Sequence, residues 1–343
     1  MSRNNKYLEL IGELENKMFG MAENSLLPPE QQLADKFGVS KPTLRRALQL
    51  MVESGQLRKL NGIGVAVAKC PASISRELIF LCHDIEFFAE TLKHFGILAL
   101  DAHYFISIVP LSGDALTQER IILSTLERRP AGVVIYADPH HNDLAAFHRF
   151  AALNIPALYL MRLPRGINGN LLEFDNSDGI TEIVKIFYRK GCRRIALYAD
   201  MNINPAAAEE RENGFKTGME KCRLKIRPEY YCSHKSSKTA REKFFKLFSN
   251  AKTRPDAVCC LNDFCTGTLT KELTKRKVNV DNICFSGFDH SPLSEFIPQP
   301  LLTVDPPMAE MGKKAAKLLI RQVENPHFGF QRKKLHSKII SIK

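Results

Sequence analysis

Side chains able to recognise a small polar molecule gather where apolar runs of the chain end. Leu78–Cys82 leads into His83-Asp84, Gly132–Tyr136 closes on Tyr136, and Ala157–Met161 is followed by Arg162. Ala257–Leu261 leads into Asn262-Asp263, and Ile283–Gly287 into Phe288-Asp289-His290. Carboxylates accept hydrogen bonds from hydroxyl groups while Arg and Asn donate to them, so such a set around one crevice suits a polyhydroxyl ligand. Each residue taken alone reads first as a turn residue or helix N-cap, where Asp and Asn are common, and only their joint position around one cleft favours ligand contact. Two other constellations argue for little chemistry. His140-His141 with Asp143 lacks a third ligand at proper spacing, and adjacent histidines point apart, so no metal is expected. Cys260 with His290 has the makings of a thiol nucleophile, but Cys259-Cys260 lies inside an apolar run and reads as core packing.

The elements that must position these residues are short apolar runs alternating with amphipathic stretches. Besides the five runs above, Tyr104–Val109, Arg194–Tyr198 and Leu301–Val304 are candidate strands. Segments of helical length lie between them, among them Phe88–Leu100, Ile180–Lys190, Glu210–Cys222 and Thr266–Lys277. Fully apolar strands alternating with helices indicate parallel, doubly wound sheets, and eight strands over this length fit two lobes better than one. Ligands of such folds bind at the carboxyl ends of the strands, where the polar residues lie.

The first 70 residues read differently. Apolar residues at Tyr7, Ile11, Leu14 and Met18 mark one face of a helix. A second helix fits Glu30 to Phe37 after Pro28-Pro29, Gly38 breaks it, and Ser40 is a good N-cap for a third helix ending near Ser54. Ala34, Gly38 and Leu44 supply a small contact residue, a positive-φ turn and an apolar anchor, the three needs of a helix-turn-helix. An unrelated helical hairpin meets them as well. The next residues favour the helix-turn-helix: Gly55 ends the helix, and Gln56–Leu60 and Val65–Ala68 read as strands joined by Asn61-Gly62-Ile63-Gly64. Helix, helix-turn-helix and hairpin in this order make a winged helix.

The chain has 343 residues, 44% apolar and 25% charged, which is globular composition and suggests more than one domain. No apolar run reaches the length of a membrane span and no secretory leader is expected, so a cytoplasmic location is. Nine cysteines without C-x-x-C spacing read as reduced thiols. Lys and Arg number 49 against 37 Asp and Glu, a net charge of +12, which permits a polyanionic partner. The excess is only +3 over residues 1–70 but +8 over residues 313–343. Nucleic acid held by the N-terminal part must therefore be gripped by a few placed cations. The basic C-terminal segment reads as a solvated surface.

The segment Leu27-Pro28-Pro29-Glu30, Leu33-Ala34, Gly38-Val39-Ser40-Lys41-Pro42-Thr43-Leu44-Arg45, Ala47-Leu48, Gly55 and Gly62-x-Gly64 resembles the GntR-type winged-helix signature over residues 5–70. The resemblance implies DNA contacts from Ser40, Lys41, Thr43 and Arg45 on the recognition helix, supplemented by Arg46, with Lys59 and Gly62 in the wing. Gln31 and Lys41 stand where that family often carries a basic residue and Arg. Lys lacks the bidentate fork that Arg offers guanine, so a different base preference is implied.

The rest of the chain resembles the effector domain of LacI-type regulators, which is similar in fold to periplasmic sugar-binding proteins. The matches are Phe174-Asp175-Asn176-x-x-Gly179, Gly191-Cys192-Arg193-Arg194-Ile195-Ala196, Arg211-x-x-Gly214-Phe215, Pro255-Asp256-Ala257-Val258 with Asn262-Asp263, Gly287-Phe288-Asp289, Pro300-Leu301-Leu302-Thr303-Val304 and Met311-Gly312. This resemblance implies that Arg211, Asn262 and Asp289 hold ligand hydroxyls and that Phe87 or Phe88 stacks on the ligand. Pro306 and Met161 stand at positions that are often polar, so a less polar far side is implied. Together the cleft set is His83, Asp84, Phe87, Phe88, Tyr136, Arg162, Arg211, Asn262 and Asp289.

A GntR-type head on such a body resembles the arabinose-repressor group of regulators. The expected organisation is an α/β chain: a winged helix-turn-helix over residues 1–69, a linker over 70–75, and a two-lobed, doubly wound, periplasmic-binding-protein-like domain over 76–343. The implied function is ligand-responsive binding of operator DNA, with a sugar as effector, no cofactor, no membrane partner and a homodimer matching a pseudo-palindromic operator. The alternatives are a small-molecule-binding protein or a cofactor enzyme with an appended DNA-binding head. No stretch resembles the cofactor-lysine segment of the aminotransferase bodies that some GntR heads carry.

Overall fold

Leu33, Ala34, Leu44, Ala47, Leu48 and Met51 have no polar side of their own to share with water, and they close on one another across two helices. The computed structural model describes residues 10–11, 13–14, 17–18, 21, 24–53, 56–60, 62–68, 75–138, 141, 144–200, 205–325 and 328–342. These fall into two units, Met1–Glu77 with Arg129–Ala131, and Leu78–Arg128 with Gly132–Lys343. Tyr7, Gly55, Asn61, residues 70–74 of the expected linker, His140 and Asp143 lie outside the described residues.

In the first unit α1 (Glu30–Phe37) and α2 (Lys41–Glu53) match the sequence reading closely. Gly38 takes φ 61° and ψ 34°, and its N–H closes on the carbonyls of Ala34 and Asp35, a left-handed C-cap open to glycine without steric cost. The strands β1 (Leu57–Leu60) and β2 (Gly64–Val67) pair antiparallel around a tip where Gly62 has φ 75° and Gly64 φ 137°. Ahead of α1 the chain adds to this wing: Leu26 bridges Ala66, and Leu27 and Ser25 exchange backbone bonds with Val65 and Val67. The helix ahead of α1 buries Leu14 and Met18 as read, packs Ile11 partly covered against the same core, and adds Leu10, which the sequence reading left out.

The second unit holds two six-stranded sheets. The first lobe contains β3 (Glu77–Cys82), β4 (Phe105–Pro110), β5 (Gly132–Tyr136), β6 (Ala157–Leu160), β7 (Asn170–Phe174) and β13 (Arg332–Leu335), in the order β13-β7-β6-β5-β3-β4. The second contains β8 (Ile195–Tyr198), β9 (Tyr231–Cys232), β10 (Ala257–Cys260), β11 (Cys284–Phe288), β12 (Leu301–Asp305) and β14 (Lys338–Ile342), in the order β14-β12-β11-β10-β8-β9. Only β14 runs antiparallel among the pairings described, on β12. Helices α3 (Ala89–Asp101), α4 (Ala115–Glu127), α5 (His148–Ala152), α6 (Asn176–Arg189), α7 (Pro205–Lys221), α8 (Lys238–Lys246), α9 (Asp263–Lys275) and α10 (Met308–Glu324) connect the strands. All eight body strands read from the sequence are present, within one residue at most ends. Four more were not read: β7 alternates in burial, β9 has two residues, β13 is a Lys- and Arg-rich edge strand, and β14 is the edge strand of the other sheet. The basic C-terminal segment is therefore partly sheet edge, where charged side chains discourage pairing with other chains.

The chain passes between the lobes from β7 into α6, from β12 into α10, and from β13 into β14. Asp175 sits at the first passage. It caps α6 by accepting from the backbone of Ser177 and Asp178 and pairs with Lys334 on β13. Burial raises its carboxyl, but bonds from Lys334, Asp178 and Ser177 outweigh that and hold it below the usual range.

Helices α6 and α7 meet backbone to backbone. A Cβ on Gly214 would lie 2.3 Å from the Ser177 carbonyl oxygen, and one on Gly218 2.7 Å from Val184 Cβ. Thr181 Oγ1 donates to the Gly214 carbonyl across the same crossing at 2.9 Å. Gly214→Ala is thus expected to destabilise the protein by at least about 1–3 kcal/mol, the range for an overpacked core. Gly267→Ala is the control: it also lies in a helix, but its Cβ would meet Leu293 Cδ2 at an ordinary 3.6 Å. Helix propensity should make that change neutral to stabilising by up to about 1 kcal/mol. Urea midpoints of the two variants check the contrast.

Candidate functional site

The carboxyl ends of both sheets bring most of the expected cleft residues to one region. Arg211, on α7, is only 4% exposed. Its Nε donates to Asn176 Oδ1 at 3.0 Å, Nη1 to the Leu261 carbonyl at 2.8 Å, and Nη2 to Asp289 Oδ1 at 2.9 Å. Its guanidinium stacks on the Phe288 ring, 3.6 Å from the centroid. One buried cation thereby ties together the ends of β10 and β11 and the start of α6. Asn176 in turn donates from Nδ2 to Glu210 Oε2. Asp289 leaves β11 with φ 94°, a conformation that costs a non-glycine residue and that the surrounding bonds must sustain.

From Phe288 an aromatic series runs into the other lobe: Phe288 stacks on Phe174, Phe174 touches Phe87, Phe87 touches Phe88, and Phe88 touches Tyr136. Phe88 is fully buried, so Phe87, half-buried, is the ring of the pair with an open face. The Tyr136 phenol is pushed up to about 12, chiefly by burial; Arg162 and Arg211 pull it down and Asp84 and Cys82 push it up. Tyr136 thus stands within reach of charges from both lobes. Arg162 Nε is buried and, among the described residues, has no hydrogen-bond partner. An unpaired buried donor of this kind costs on the order of 1–3 kcal/mol, more when charged, unless something accepts from it.

Two expected residues also serve the local backbone. Asp84 Oδ1 accepts from Phe87 N at 3.0 Å, and Asn262 Oδ1 caps α9 by accepting from Cys265 N at 2.8 Å, which leaves the Asn262 amide nitrogen for other contacts. His83 Nδ1 lies 3.8 Å from Asp138 Oδ2. The sequence reading missed Asp138. It is buried and bonded to Gln118 and His141, and its place two residues past the end of β5 was the available signal. A cavity of 630 Å³ opens beside this region and is lined by Phe87, Glu90, Asp289, Ser291, Pro306 and Lys338, among others. It shares only Phe87 and Asp289 with the expected set, and Pro306 supplies an apolar wall.

Asp263, next to Asn262, does internal work. Its Oδ2 accepts from Ser291 N and its Oδ1 from Thr303 Oγ1, both at 2.7 Å. A Cβ on Gly287 would fall 2.1 Å from Asp263 Oδ1, the reason a glycine precedes Phe288-Asp289. Burial pushes the Asp263 carboxyl up to about 6, against the pull of Thr303 and Ser291.

In the first unit α2 presents Lys41, Arg45 and Arg46 to solvent while burying Leu44, Ala47, Leu48 and Met51. Ser40 Oγ and Thr43 share a hydroxyl contact at 2.8 Å at the start of the helix, which engages both hydroxyls locally. Arg45 Nε pairs with Glu30 Oε2 at 2.8 Å, and Lys59 Nζ donates to Gln49 Oε1. Gly62 is exposed at the wing tip beside Ile63. Among the described residues no group of three or more His, Cys, Asp or Glu could hold a metal ion, and no helix is long and apolar enough to cross a membrane.

A winged helix joined to a two-lobed cleft of this topology defines a ligand-responsive DNA-binding regulator. Comparison with known proteins agrees. Residues 8–67 match the family described as bacterial regulatory proteins, gntR family, and residues 184–340 match the periplasmic binding protein-like domain. The chain is 23% identical to the arabinose metabolism transcriptional repressor of Geobacillus stearothermophilus over 93% of its own length and 91% of the relative's. It is 22% identical to the HTH-type transcriptional repressor CytR of Escherichia coli K12 over 85% and 84%. A LacI-family regulator from Enterococcus faecium, solved with bound ribose, superposes with a TM-score of 0.63 at 18% identity, covering 77% of this chain and 96% of that one. The chain is a transcription regulator with a GntR-type head and a periplasmic-binding-protein-like body.

The raised Asp263 carboxyl carries a pH signature. A carboxyl whose folded value lies above its ordinary 3.8 adds stability that is complete below about pH 4 and is lost as pH rises through about 6. The stability of wild type relative to Asp263→Asn should therefore fall by about 2 kcal/mol between pH 4 and 7. Parallel urea titrations of both proteins across that range test it; a constant difference would refute the raised value.

Proposed function

We propose that the chain is a cytoplasmic, homodimeric repressor that places one winged helix on each half of a pseudo-palindromic operator and loosens or tightens its grip when a sugar occupies the interlobe cleft. Residues 1–69 bind DNA, 70–75 link, and 76–343 bind effector and partner subunit. The observation that carries the proposal is the exposed face of α2. Lys41, Arg45 and Arg46 project from one helix whose other side is wholly engaged in the core. The Arg45–Glu30 pair supports it, since Arg45 is largely exposed and Glu30 partly so, and such a pair is worth about 0–1 kcal/mol. Arg45 can exchange Glu30 for a phosphate or a guanine edge at little cost. Ser40, Thr43, Lys59 and Gly62 complete the DNA surface.

For the effector, the donors of Arg162 and Asn262 and the carboxylates of Asp84 and Asp289 match the hydroxyl pattern of a sugar, with Phe87 and Tyr136 forming an apolar floor that the buried Phe88 backs, and His83 at the rim. The ribose bound by the Enterococcus relative and the arabinose metabolism named for the Geobacillus repressor favour a pentose among sugars. Self-association is supported by apolar side chains left open on the second unit. Phe105 on the edge strand β4 is 71% exposed, with Ile108, Ile97, Leu100 and Leu116 also exposed on β4, α3 and α4. Exposed apolar patches of this kind mark interaction sites.

Arg45→Ala is expected to weaken operator binding by about 1–3 kcal/mol per half-site, and Glu30→Gln to strengthen it slightly by releasing Arg45. Fluorescence anisotropy on operator and random duplex measures both; operator affinity unchanged in Arg45→Ala would remove α2 from the DNA. In the cleft Asp289→Asn should cost at least about tenfold in sugar affinity, a loss of about 1.4 kcal/mol. Arg211→Ala is a poorer probe, because it strips three internal partners from a buried cation and is expected to cost about 3–5 kcal/mol of stability. Effector and operator must also change each other's affinity by the same factor, which calorimetric titration of pentoses with and without operator measures.

A further inference from the structure

At the end of the second lobe's sheet opposite to the cleft, two thiols meet. Cys192 follows Gly191, which has φ 92°, in the loop after α6, and Cys284 opens β11. Both are fastened to Asp256. The Cys284 N–H donates to the Asp256 carbonyl at 3.0 Å, and the Cys192 thiol approaches the same oxygen at 3.9 Å. The backbone of Arg193 and Arg194 donates to Asp256 Oδ2 at 3.0 and 2.9 Å, and the Arg194 side chain grips Oδ1. The two residues thereby converge on one carbonyl oxygen, and their thiols lie within interaction range of each other. Their juxtaposition is thus set by backbone bonds to Asp256 and by the Arg194–Asp256 ion pair, and two thiols held at one carbonyl need little movement to bond.

Access and reactivity differ from those of the other described cysteines. Cys82, Cys222, Cys232, Cys259, Cys260 and Cys265 are buried, as is Cys192, whereas Cys284 is only partly covered. A thiol reacts as its thiolate and must be reached from solvent. The hydrogen bond from Cys192 brings the Cys284 thiol down to about 6, with Lys190 assisting and burial and Asp256 opposing. The same bond, together with burial, pushes the Cys192 thiol upward. The pair is thus polarised, Cys284 toward the thiolate and Cys192 toward the thiol.

We propose that Cys192 and Cys284 form a redox modification site, at which a hydroperoxide converts the pair into a reversible intramolecular disulfide. The Cys284 thiolate attacks a peroxide oxygen; an S–O bond forms, the O–O bond breaks, and the departing oxygen leaves as water or alcohol after taking a proton. The sulfur of Cys192 then displaces hydroxide from the Cys284 sulfenic acid, giving the S–S bond, while the Cys192 proton joins the hydroxide as water. Two thiols are oxidised and one peroxide is reduced. A dithiol such as dithiothreitol reverses the change.

The test uses the full chain, reduced, desalted and exposed to dilute hydrogen peroxide, then blocked with N-ethylmaleimide and digested without reductant. The expected result is a Cys192–Cys284 linked peptide, lighter than the two thiol peptides by two hydrogens, formed before any of the six other buried cysteines changes and abolished by dithiothreitol. Cys284→Ser should leave Cys192 unoxidised at that stage. Cys192→Ser should stop at a Cys284 sulfenic acid that dimedone captures. The wild-type map decides the matter even if either variant folds poorly. Absence of the Cys192–Cys284 link, or its formation no faster than reaction at the buried cysteines, would overturn the proposal.

Discussion

A guanidinium cannot shed its proton in a protein interior, so once buried it dictates where its acceptors must lie. Arg211 imposes that condition on the second lobe. Its three partners come from three separate stretches of chain, Asn176 at the head of α6, Leu261 past β10 and Asp289 past β11, and Phe288 covers its face. Displacing any of these stretches strands a charge. The strained φ of Asp289 persists in that setting because the ion pair and the Asp289 N–H bond to the Val304 carbonyl both oppose relaxation. The ligand-facing rim is therefore built before any ligand arrives.

A similar constraint acts through Asp263, whose two oxygens stitch the loop after β11 to β12 and whose proximity forbids any side chain at Gly287. Around these two anchors the polar residues divide. Some are fully engaged by the fold, as Asp263 and most of Arg211 are, and others keep free bonding capacity, as Arg162 Nε and the Asn262 amide do. A residue with spare donors in a partly open cleft is the better candidate for ligand contact, because only the ligand can complete its bonding. The aromatic series from Tyr136 to Phe288 gives both lobes a shared apolar surface on which ligand and lobes can register.

The winged helix solves a different problem with less charge. Its net excess of +3 over residues 1–70 is small for a DNA-binding surface, so position must replace quantity. Burying Leu44, Ala47, Leu48 and Met51 fixes the rotation of α2, and that rotation places Lys41, Arg45 and Arg46 outward without further instruction. Glu30 holds Arg45 in a weak, exposed pair that orders the side chain and yields readily to a stronger anion.

Much of this was legible in the sequence, for local reasons. Period and punctuation set α1, α2 and the wing, because Gly38 and the Gly62–Gly64 turn answer to backbone sterics that neighbours cannot alter. The eight apolar strands were legible because a parallel strand buried on both faces must be continuously apolar. Strands β7, β9, β13 and β14 were not, since edge and alternating strands take their pairing from a sheet that assembles from distant residues. The cleft residues could be named from strand ends and family likeness, but their employment could not. Whether Asn262 caps a helix, Phe88 sinks into the core, or Arg211 directs its donors inward depends on partners that only folding brings near. Asp138 and the Cys192–Cys284 contact were invisible for the same reason: residue types and spacing specify what a side chain can bond, and only the folded chain decides what it meets.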